Sequence, residues 1–455
     1  MSTVVIDLYD SGILISDGDR ILAWGASCAL IESATSIRTG KAVENQACVR
    51  PQDICTQFWS RLSGHSSTRH VVAHAEIALH HLQAVWGQLD RPDHTAILAV
   101  CGTLGKQDLG LVLGICEKLS IPVQGIVKRA VLGVPGPVLG CTLVWLDILQ
   151  QHTVLTEMSQ DLTGVSVPRP EILLPQGLQA LNHTLAKRVA GVFIARTRFD
   201  PLQKAENEQQ LREKLPHWLE TLESAKFVVC ELHAAGQAYR VRLERNDVLE
   251  INRPVFEAIA SRLGSLVHDR DAIGIVCAPS CRQVFGLKAF LDGLPGCAVL
   301  STSPVHMAVQ ALRYRDQIDS QDTSVHYTTS LTWDRDTCPQ TLEINAGSLD
   351  TLDNRPTHLL IGGHAWPLNQ EVCLSARNAA PGLTLDPACD ETSLCRISRF
   401  GWMIEVRSLH EHVVRLNGEP LGAPRSVQSG DHLRIDGYRD VIRFIQVHEH
   451  ETPLV

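Results

Sequence analysis

Two aspartates stand beside strand-like apolar runs in the first third of the chain. Asp7 follows the buried-type run Val4–Ile6 and opens the polar segment Asp7–Gly12, and Asp147 closes the apolar run that begins at Cys141. Carboxylates can hold Mg²⁺ through water, because Mg²⁺ prefers oxygen ligands and keeps several of its waters. The alternative is that each carboxylate caps a turn. The residues alone leave both roles open.

A group of histidines also has residue types suited to metal binding. His74 and His81 are seven residues apart and could share a helix face, with His80 beside them. No carboxylate or cysteine completes a set at zinc-ligand spacing, so we expect these histidines to be solvated or to pack in the interior. The sequence predicts no metal-ligating cluster.

Cysteine usage and charge limit the possible classes of function. None of the 14 cysteines forms a C-x-x-C pair, and we expect them to act as small buried hydrophobes in a reduced, cytoplasmic protein. With 41 basic and 50 acidic residues the net charge is −9, which argues against a general binder of nucleic acid or anionic membranes. Because no apolar stretch approaches the roughly 18 residues of a transmembrane helix, we expect no membrane insertion.

The elements that must position these residues alternate between strands and helices. Residues 3–30 predict a three-stranded meander around the Asp17-Gly18 turn, and a strand, a helix and a strand follow between residues 96 and 127. The segment 131–140 is rich in Gly and Pro, which marks a lobe boundary. We therefore predict an α/β fold with a lobe over residues 1–138, a second lobe over 139–318 and a linker over 319–355, a polar segment that could include a pair of strands.

The last hundred residues differ from the rest of the chain. Short apolar runs recur about every ten residues and are separated by Gly, Asn and Pro turns, which is the pattern of an all-β sandwich. We predict that residues 356–455 form this separate domain.

Four segments, in the expected order, resemble the nucleotide-binding lobes of the actin and DnaK-type chaperone superfamily. Asp7–Gly12 resembles the first phosphate loop, and the strand ending at Asp147 stands where the second loop begins. The stretch 96–123 resembles a strand, turn and helix of the family, while 275–291 with 304–311 resembles the adenosine loop and closing helix. The resemblance covers residues 1–318 and implies a two-lobed actin/DnaK-like fold that binds ATP and Mg²⁺. The residues it assigns to this cofactor site are Asp7, Ser11, Gly12, Asp147, Ser280 and Arg282.

Several positions depart from the family pattern. Phosphate loops need glycines so that backbone N–H groups can approach the phosphate, yet Asp147 is followed by 148–153 without a glycine. The two glycines of the adenosine loop are Ala278 and Pro279 here, and proline lacks an N–H donor. The catalytic Glu of the family aligns with Lys128, a reversal of charge. Arg282 could stack on an adenine or serve as an ordinary surface arginine.

The C-terminal segment resembles a forkhead-associated (FHA) domain, a module that binds phosphothreonine peptides through loops at one end of a sandwich. The resemblance lies in 359–362, 393–396, 414–419 and 429–435. The Gly-Arg of that family reads Gly363-His364 here. A phosphate site needs paired, charge-assisted donors, and the candidates are Ser393, Arg396 and Asn417. Without the family's arginine, phosphate-independent docking of a protein is the alternative.

Taken together, these patterns predict a non-catalytic scaffold or assembly factor, a pseudo-ATPase with an FHA-like module for protein partners. The framework of a nucleotide-binding fold is kept, while residue types that its chemistry needs are replaced. The alternatives are an active ATP-hydrolysing, chaperone-like enzyme that switches between open and closed lobes, and a filament-forming ATPase.

Overall fold

The computed structural model describes most of the chain. The described residues are 2–90, 93–169, 171–266, 272–319, 325–334, 337, 339–342, 356–368, 372–376, 383–386, 389–390, 392–400, 403–410, 414–438 and 440–447. The chain divides into two compact units. The first consists of Met1–Val255, Ile273–Leu291 and Val299–Leu342, and the second of Phe256–Ala272, Asp292–Ala298 and Glu343–Val455.

The strands before residue 343 belong to several sheets. In chain order they are β1 (Ser2–Tyr9), β2 (Gly12–Ser16), β3 (Ile21–Ala26), β4 (Ala29–Ser33), β5 (Ser36–Thr39), β6 (Ile54–Cys55), β7 (His94–Val100), β8 (Val123–Lys128), β9 (Val138–Leu139), β10 (Cys141–Ile148), β11 (Thr153–Gln160), β12 (Gly164–Ser166), β13 (Ile172–Leu174), β14 (Phe227–Ala234), β15 (Gln237–Glu244), β16 (Ala272–Cys277), β17 (Cys297–Ser301), β18 (Tyr327–Thr328), β19 (Ser330–Thr332) and β20 (Gln340–Thr341).

Helices separate these strands. They are α1 (Lys41–Glu44), α2 (His74–Trp86), α3 (Lys106–Lys118), α4 (Leu178–Thr197), α5 (Ala205–Ser224), α6 (Arg245–Leu266), α7 (Leu287–Asp292), α8 (His306–Arg313) and α9 (Arg315–Ile318). Two short 3₁₀ turns, Arg129–Leu132 after β8 and Pro279–Gln283 after β16, matter for the site.

Two sheets share one strand order. The first runs β3-β2-β1-β7-β8 and the second β12-β11-β10-β16-β17, with further short strands at their edges. In each sheet, three strands that follow one another in the chain form an antiparallel meander, β1–β2–β3 in the first and β10–β11–β12 in the second. A later strand, β7 in the first sheet and β16 in the second, lies on the other side of β1 or β10. The hairpins β1–β2 and β10–β11 are therefore equivalent elements of the two sheets.

The middle strands of the first sheet, β1 and β7, are largely apolar and buried. Val4–Leu8 of β1 is buried throughout, as expected of a strand covered on both faces. Apolar side chains of α2 and α3, such as Ile77, Leu82 and Val112, join those of β1 and β7 in one core cluster. Helix α8 also contacts β1 and β7. This packing fixes the position of β1, which carries Asp7.

A second cluster lies around α4 and α5 within the first unit. Their apolar faces pack with the β14–β15 hairpin, and Phe199 stacks on Tyr239 with ring centroids 4.2 Å apart. The helix predicted over 206–223 is confirmed as α5, and the strand predicted at 227–230 begins β14. Helix α4 has no counterpart in the sequence prediction.

Part of the predicted linker extends the sheets of the first unit. Strand β18 pairs parallel to β8, and β19 pairs antiparallel to β12, with only Thr329 between them. Further along, β20 pairs with β9. Trp333 anchors the segment, because its ring N–H donates to the carbonyl of Asp161 at 2.9 Å. We call residues 325–334 the strap, since they connect the edges of two different sheets.

The second unit contains the β-rich region. Its strands are β21 (His358–Ile361), β22 (His364–Pro367), β23 (Val372–Ala376), β24 (Leu383–Asp386), β25 (Ser393–Phe400), β26 (Met403–Ser408), β27 (Val414–Leu416), β28 (Glu419–Pro420), β29 (Arg425–Val427), β30 (His432–Ile435) and β31 (Val441–Ile445). They form a six-stranded sheet, β22-β21-β31-β30-β27-β28, and a five-stranded sheet, β24-β23-β25-β26-β29. Apolar side chains from both sheets share one core.

These observations confirm the predicted α/β class and the predicted change to β structure at the C-terminal end. The two-lobed actin/DnaK-like assignment and the domain boundaries stay predictions. One detail differs from the expectation that the cysteines are reduced, because Cys373 and Cys389 are joined as a disulfide. Of the described cysteines that remain free, most are buried, as the apolar runs around them indicate.

Candidate functional site

Asp7 and Asp147 occupy equivalent places in the two sheets. Asp7 lies opposite Leu14 in the β1–β2 hairpin, and Asp147 lies opposite Val154 in the β10–β11 hairpin. The two residues are 3% and 1% exposed. Neither therefore caps a solvent-exposed turn, and each buried carboxylate requires a partner.

Arg129 is the partner of both carboxylates. It begins the 3₁₀ turn after β8 and is 2% exposed. Its Nε lies 2.7 Å from Oδ1 of Asp7, a close ion pair without the alignment of a hydrogen bond, and Nη2 donates to Oδ2 at 3.4 Å. Nη1 donates to Oδ2 of Asp147. The guanidinium also lies over the ring of Tyr9, 4.8 Å from its centroid.

Ser280 adds a hydroxyl to this network. Its Oγ donates to Oδ1 of Asp147 at 2.6 Å and accepts the N–H of Ile148 at 3.3 Å. The 3₁₀ turn that follows β16 positions it, and the residue is 4% exposed. Arg282, two residues further on, is exposed and has no partner among the described residues. The structure thus brings Ser280 to Asp147 and leaves Arg282 outside the network.

Asp10 connects the two hairpin turns. Its carboxylate accepts the backbone N–H groups of Gln150 and Gln151, at 2.6 and 3.1 Å. Those N–H groups belong to the β10–β11 turn, where the family resemblance expects the second phosphate loop. A carboxylate of the first turn therefore already occupies the backbone donors of the second.

Ser11 and Gly12 complete the first turn. The Ser11 carbonyl accepts the N–H of Ser27 at 3.1 Å, while its buried Oγ has no hydrogen-bond partner among the described residues. A Cβ at Gly12 would lie 2.9 Å from the carbonyl oxygen of Gly25, so the neighbouring strand leaves no room for a side chain there.

The charges of the site do not cancel. Asp7 and Asp147 contact the Arg129 guanidinium, and the carboxylate of Asp10 lies close enough to interact with it electrostatically. Burial raises the pKa of Asp7 to about 6 although Arg129 opposes the shift, and Asp147 raises it further. Burial likewise raises the pKa of Asp10 to about 6 against the two backbone hydrogen bonds. Burial lowers the pKa of Arg129, but Asp147 and Asp7 together raise it well above its ordinary value.

A second buried ion pair stands at the position predicted for the catalytic Glu. Nζ of Lys128 lies 3.2 Å from Oε1 of Glu171, and the two side chains are 11% and 7% exposed. Gly102 lies against this pair, because a Cβ there would come within 1.8 Å of the Glu171 carboxylate. The charge reversal at Lys128 is thus matched by an acidic residue from another part of the chain.

The candidate histidines have other roles. Nε1 of Trp59 donates to the His81 ring at 2.9 Å, and the His74 ring bonds the carbonyl of Arg61 at 2.7 Å. Burial lowers the pKa of His81 to about 4. No group of three His, Cys, Asp or Glu side chains within the described residues is arranged to hold a metal ion.

The three peptide-binding candidates of the C-terminal sheets each have partners in the domain. Ser393 is 1% exposed and its Oγ bonds Ser375 at 3.0 Å and the Asp390 carboxylate at 3.1 Å. Asn417 sits in a turn with φ 52°, where its amide donates to Asp431 at 2.7 Å and accepts the His432 N–H at 2.9 Å. Nε of Arg396 lies 3.3 Å from Sγ of Cys389.

The sequence prediction missed Arg129, Asp10 and Glu171. Arg129 directly follows a strand in which Ile126, Val127 and Lys128 are buried, and a basic residue at the end of such a strand signals a buried charge partner. Asp10 and Glu171 carry no comparable signal, because only the fold brings them to the site.

Comparison with known proteins adds no identification. No protein-family model and no curated protein matches this sequence. Among the helices of the described residues, none combines the length and apolar character needed to cross a membrane.

Proposed function

We propose that the protein is a non-catalytic scaffold or assembly factor, built on an actin/DnaK-like nucleotide-binding framework whose site is filled by its own side chains. The observation that carries the proposal is the Arg129 guanidinium between Asp7 and Asp147. In this interpretation the Arg129 guanidinium occupies the place that Mg²⁺ would need. The carboxylate of Asp10 occupies the place of a phosphate at the β10–β11 turn.

The first support is the difficulty of displacing Arg129. Mg²⁺ would have to separate a buried guanidinium from two carboxylates, and leaving a buried charge without its partner costs about 3–5 kcal/mol. Since about 1.4 kcal/mol is tenfold in an equilibrium constant, the affinity for Mg²⁺ would fall by roughly 10²- to 4 × 10³-fold. The donor set present therefore does not fit a hydrated Mg²⁺ ion.

The second support is electrostatic. A nucleotide phosphate approaching the β10–β11 turn would meet the Asp10 carboxylate, which already accepts the N–H groups of Gln150 and Gln151. Like charges at such a distance repel strongly where water is excluded. At the position where hydrolysis would need a carboxylate to handle the attacking water, Lys128 is paired with Glu171.

The third support is the strap. A switch between open and closed lobes would change the relation between the sheets that contain β8 and β12. The strap pairs with both strands within six residues, from Tyr327 to Thr332. Side chains reinforce it, because the Gln317 amide both donates to the Thr332 carbonyl and accepts its N–H at 2.8 Å. A scaffold gains from this rigidity, whereas a cycling ATPase would have to break it.

The sandwich supplies the protein-interaction part of the proposal. Its FHA-like candidates Ser393 and Asn417 hold turns of their own domain, so a phosphate-independent mode of docking fits them better than phosphothreonine recognition. A scaffold of this kind needs a stable surface for partners rather than a chemical step.

The proposal is tested by assaying phosphate release and thermal unfolding of the full chain with Mg²⁺ and ATP. We expect no release above the buffer rate and no shift of the unfolding midpoint at millimolar nucleotide. A stabilisation that saturates with ATP, together with steady phosphate release, would replace the scaffold with an active ATPase.

A further inference from the structure

The outer face of the six-stranded sheet carries a basic cavity. It has a volume of about 530 Å³ and lies over β30 and β31, next to the Ser429-Gly430 turn. His432, Arg434 and Arg443 line it, with Ile445 at one end. No carboxylate is among the described residues that line the cavity.

The two arginines of the cavity are available for a ligand. Arg434 and Arg443 are exposed, and neither has an ion-pair or hydrogen-bond partner among the described residues. Asp431, the residue before His432, is turned to other partners, since its carboxylate accepts the N–H of Gln428 at 2.7 Å and the amide of Asn417. Within the described part of the chain, no ion pair compensates the positive charge of these two arginines.

The strand register concentrates this charge further. Arg443 lies directly opposite His432, and Arg434 lies directly opposite Arg415 of β27. Of these two pairs, Arg434 and Arg415 are like charges, which destabilise an antiparallel pair when they lie directly opposite each other. Asp436 compensates Arg415, with a separation of 3.1 Å, but nothing described compensates the other two arginines. An anion bound at Arg434 would relieve the repulsion.

The spacing of the charges favours an extended acidic chain. Arg434 and Arg443 stand at diagonal positions on adjacent strands, since Arg434 pairs with Val441, and such positions lie about 7–8 Å apart. A single phosphate is smaller than this span. An extended peptide places alternate side chains on one face about 6.6 Å apart, so two carboxylates at alternate positions can reach both arginines together.

We propose that this cavity is a docking site for a carboxylate-rich, extended segment of a partner protein. Arg434 and Arg443 would form charge-assisted hydrogen bonds with its carboxylates, and Ile445 would contact its apolar portions. The inference names a partner chemistry for the proposed scaffold, but it does not depend on the state of the nucleotide site. Peptide binding and nucleotide binding are measured separately, so either proposal can fail while the other stands.

The test is a fluorescence-anisotropy titration of the full chain with a labelled octaglutamate peptide at low and at high salt. We expect saturable binding that weakens as salt rises, because exposed charges are screened. The variant Arg434→Ala/Arg443→Ala should weaken binding about tenfold, since each exposed charge pair contributes modestly. Arg434→Lys/Arg443→Lys should recover part of the loss, because the charge is kept while the planar fork is not.

Arg407→Ala is the matched control, because Arg407 is an exposed arginine on the five-stranded sheet, and it should leave the affinity unchanged. The proposal is overturned if octaglutamate does not bind, or if Arg407→Ala weakens its binding as much as Arg434→Ala/Arg443→Ala does. It is also overturned by binding of an otherwise neutral phosphothreonine peptide in place of octaglutamate. Circular dichroism of each variant establishes that the sheets are intact.

Discussion

Replacing Arg129 by alanine removes the only cation that contacts both buried aspartates among the described residues. Asp7 and Asp147 would then stand at 3% and 1% exposure without their partner, a change that destabilises proteins by about 3–5 kcal/mol. Urea unfolding of the wild type and of Arg129→Ala measures this difference. The exposed Arg282, changed to alanine in a parallel variant, should alter the free energy of unfolding by no more than about 0.5 kcal/mol.

The Arg129→Ala variant also tests whether the guanidinium takes the place of Mg²⁺. With Arg129 gone, two carboxylates face a cavity, and Mg²⁺ should bind there and stabilise the folded state by about 2.7 kcal/mol at a concentration 100 times its Kd. The wild type should show no such dependence on Mg²⁺. If Arg129→Ala unfolds at the same urea concentration as the wild type, the ion-pair network contributes nothing and the reasoning is refuted.

Three further predictions concern the groups around this network. Asp10 has a folded-state pKa of about 6, above its ordinary value, so its protonation favours the folded state below pH 4 and this contribution is lost as the pH rises through 6. Asp10→Asn should therefore flatten the fall in the free energy of unfolding that denaturation measures between pH 4 and 7. An unchanged slope would exclude Asp10 as the source of that fall. Glu171→Gln should lower the free energy of unfolding by about 3 kcal/mol, because it leaves the buried Lys128 without its partner. The double variant Lys128→Met/Glu171→Leu should recover most of this loss. Equal stability of the single and double variants would contradict a coupled pair. Gly164→Val should weaken the pairing of β12 with β19 in the strap, because a Cβ there would lie 2.3 Å from the Leu331 carbonyl. Limited proteolysis should then cut near residue 330 faster than in the wild type. An unchanged cleavage rate would show that this pairing does not hold the strap.

Local patterns predicted the strands and helices that carry the site. The Asp17-Gly18 turn and its flanking apolar runs indicated the β1–β2–β3 meander, and Gly18 has the positive φ of 95° that such a turn needs. Asp147 was correctly placed at the end of a buried strand. Periodicity was sufficient here because these features depend on neighbours within ten residues.

The interactions of the site could not be predicted in the same way. Arg129 and Asp147 are 18 residues apart, but Arg129 and Asp7 are 122 apart, and Asp10 reaches Gln150 across 140 residues. The spacing of residues along the sequence does not predict which charged side chains of two equivalent hairpins will pair in the fold. The pairing of the strap with β8 and β12 was not predicted for the same reason, since two- and three-residue strands have no periodicity and form only where an edge is available.

The most direct test of the account is calorimetric titration of the full chain with ATP in the presence of Mg²⁺, with ADP as a second ligand. If Arg129 and Asp10 fill the site, no heat of binding should appear up to millimolar nucleotide. Binding at micromolar concentration would contradict the account, because it would mean that the internal ion pairs yield to the nucleotide.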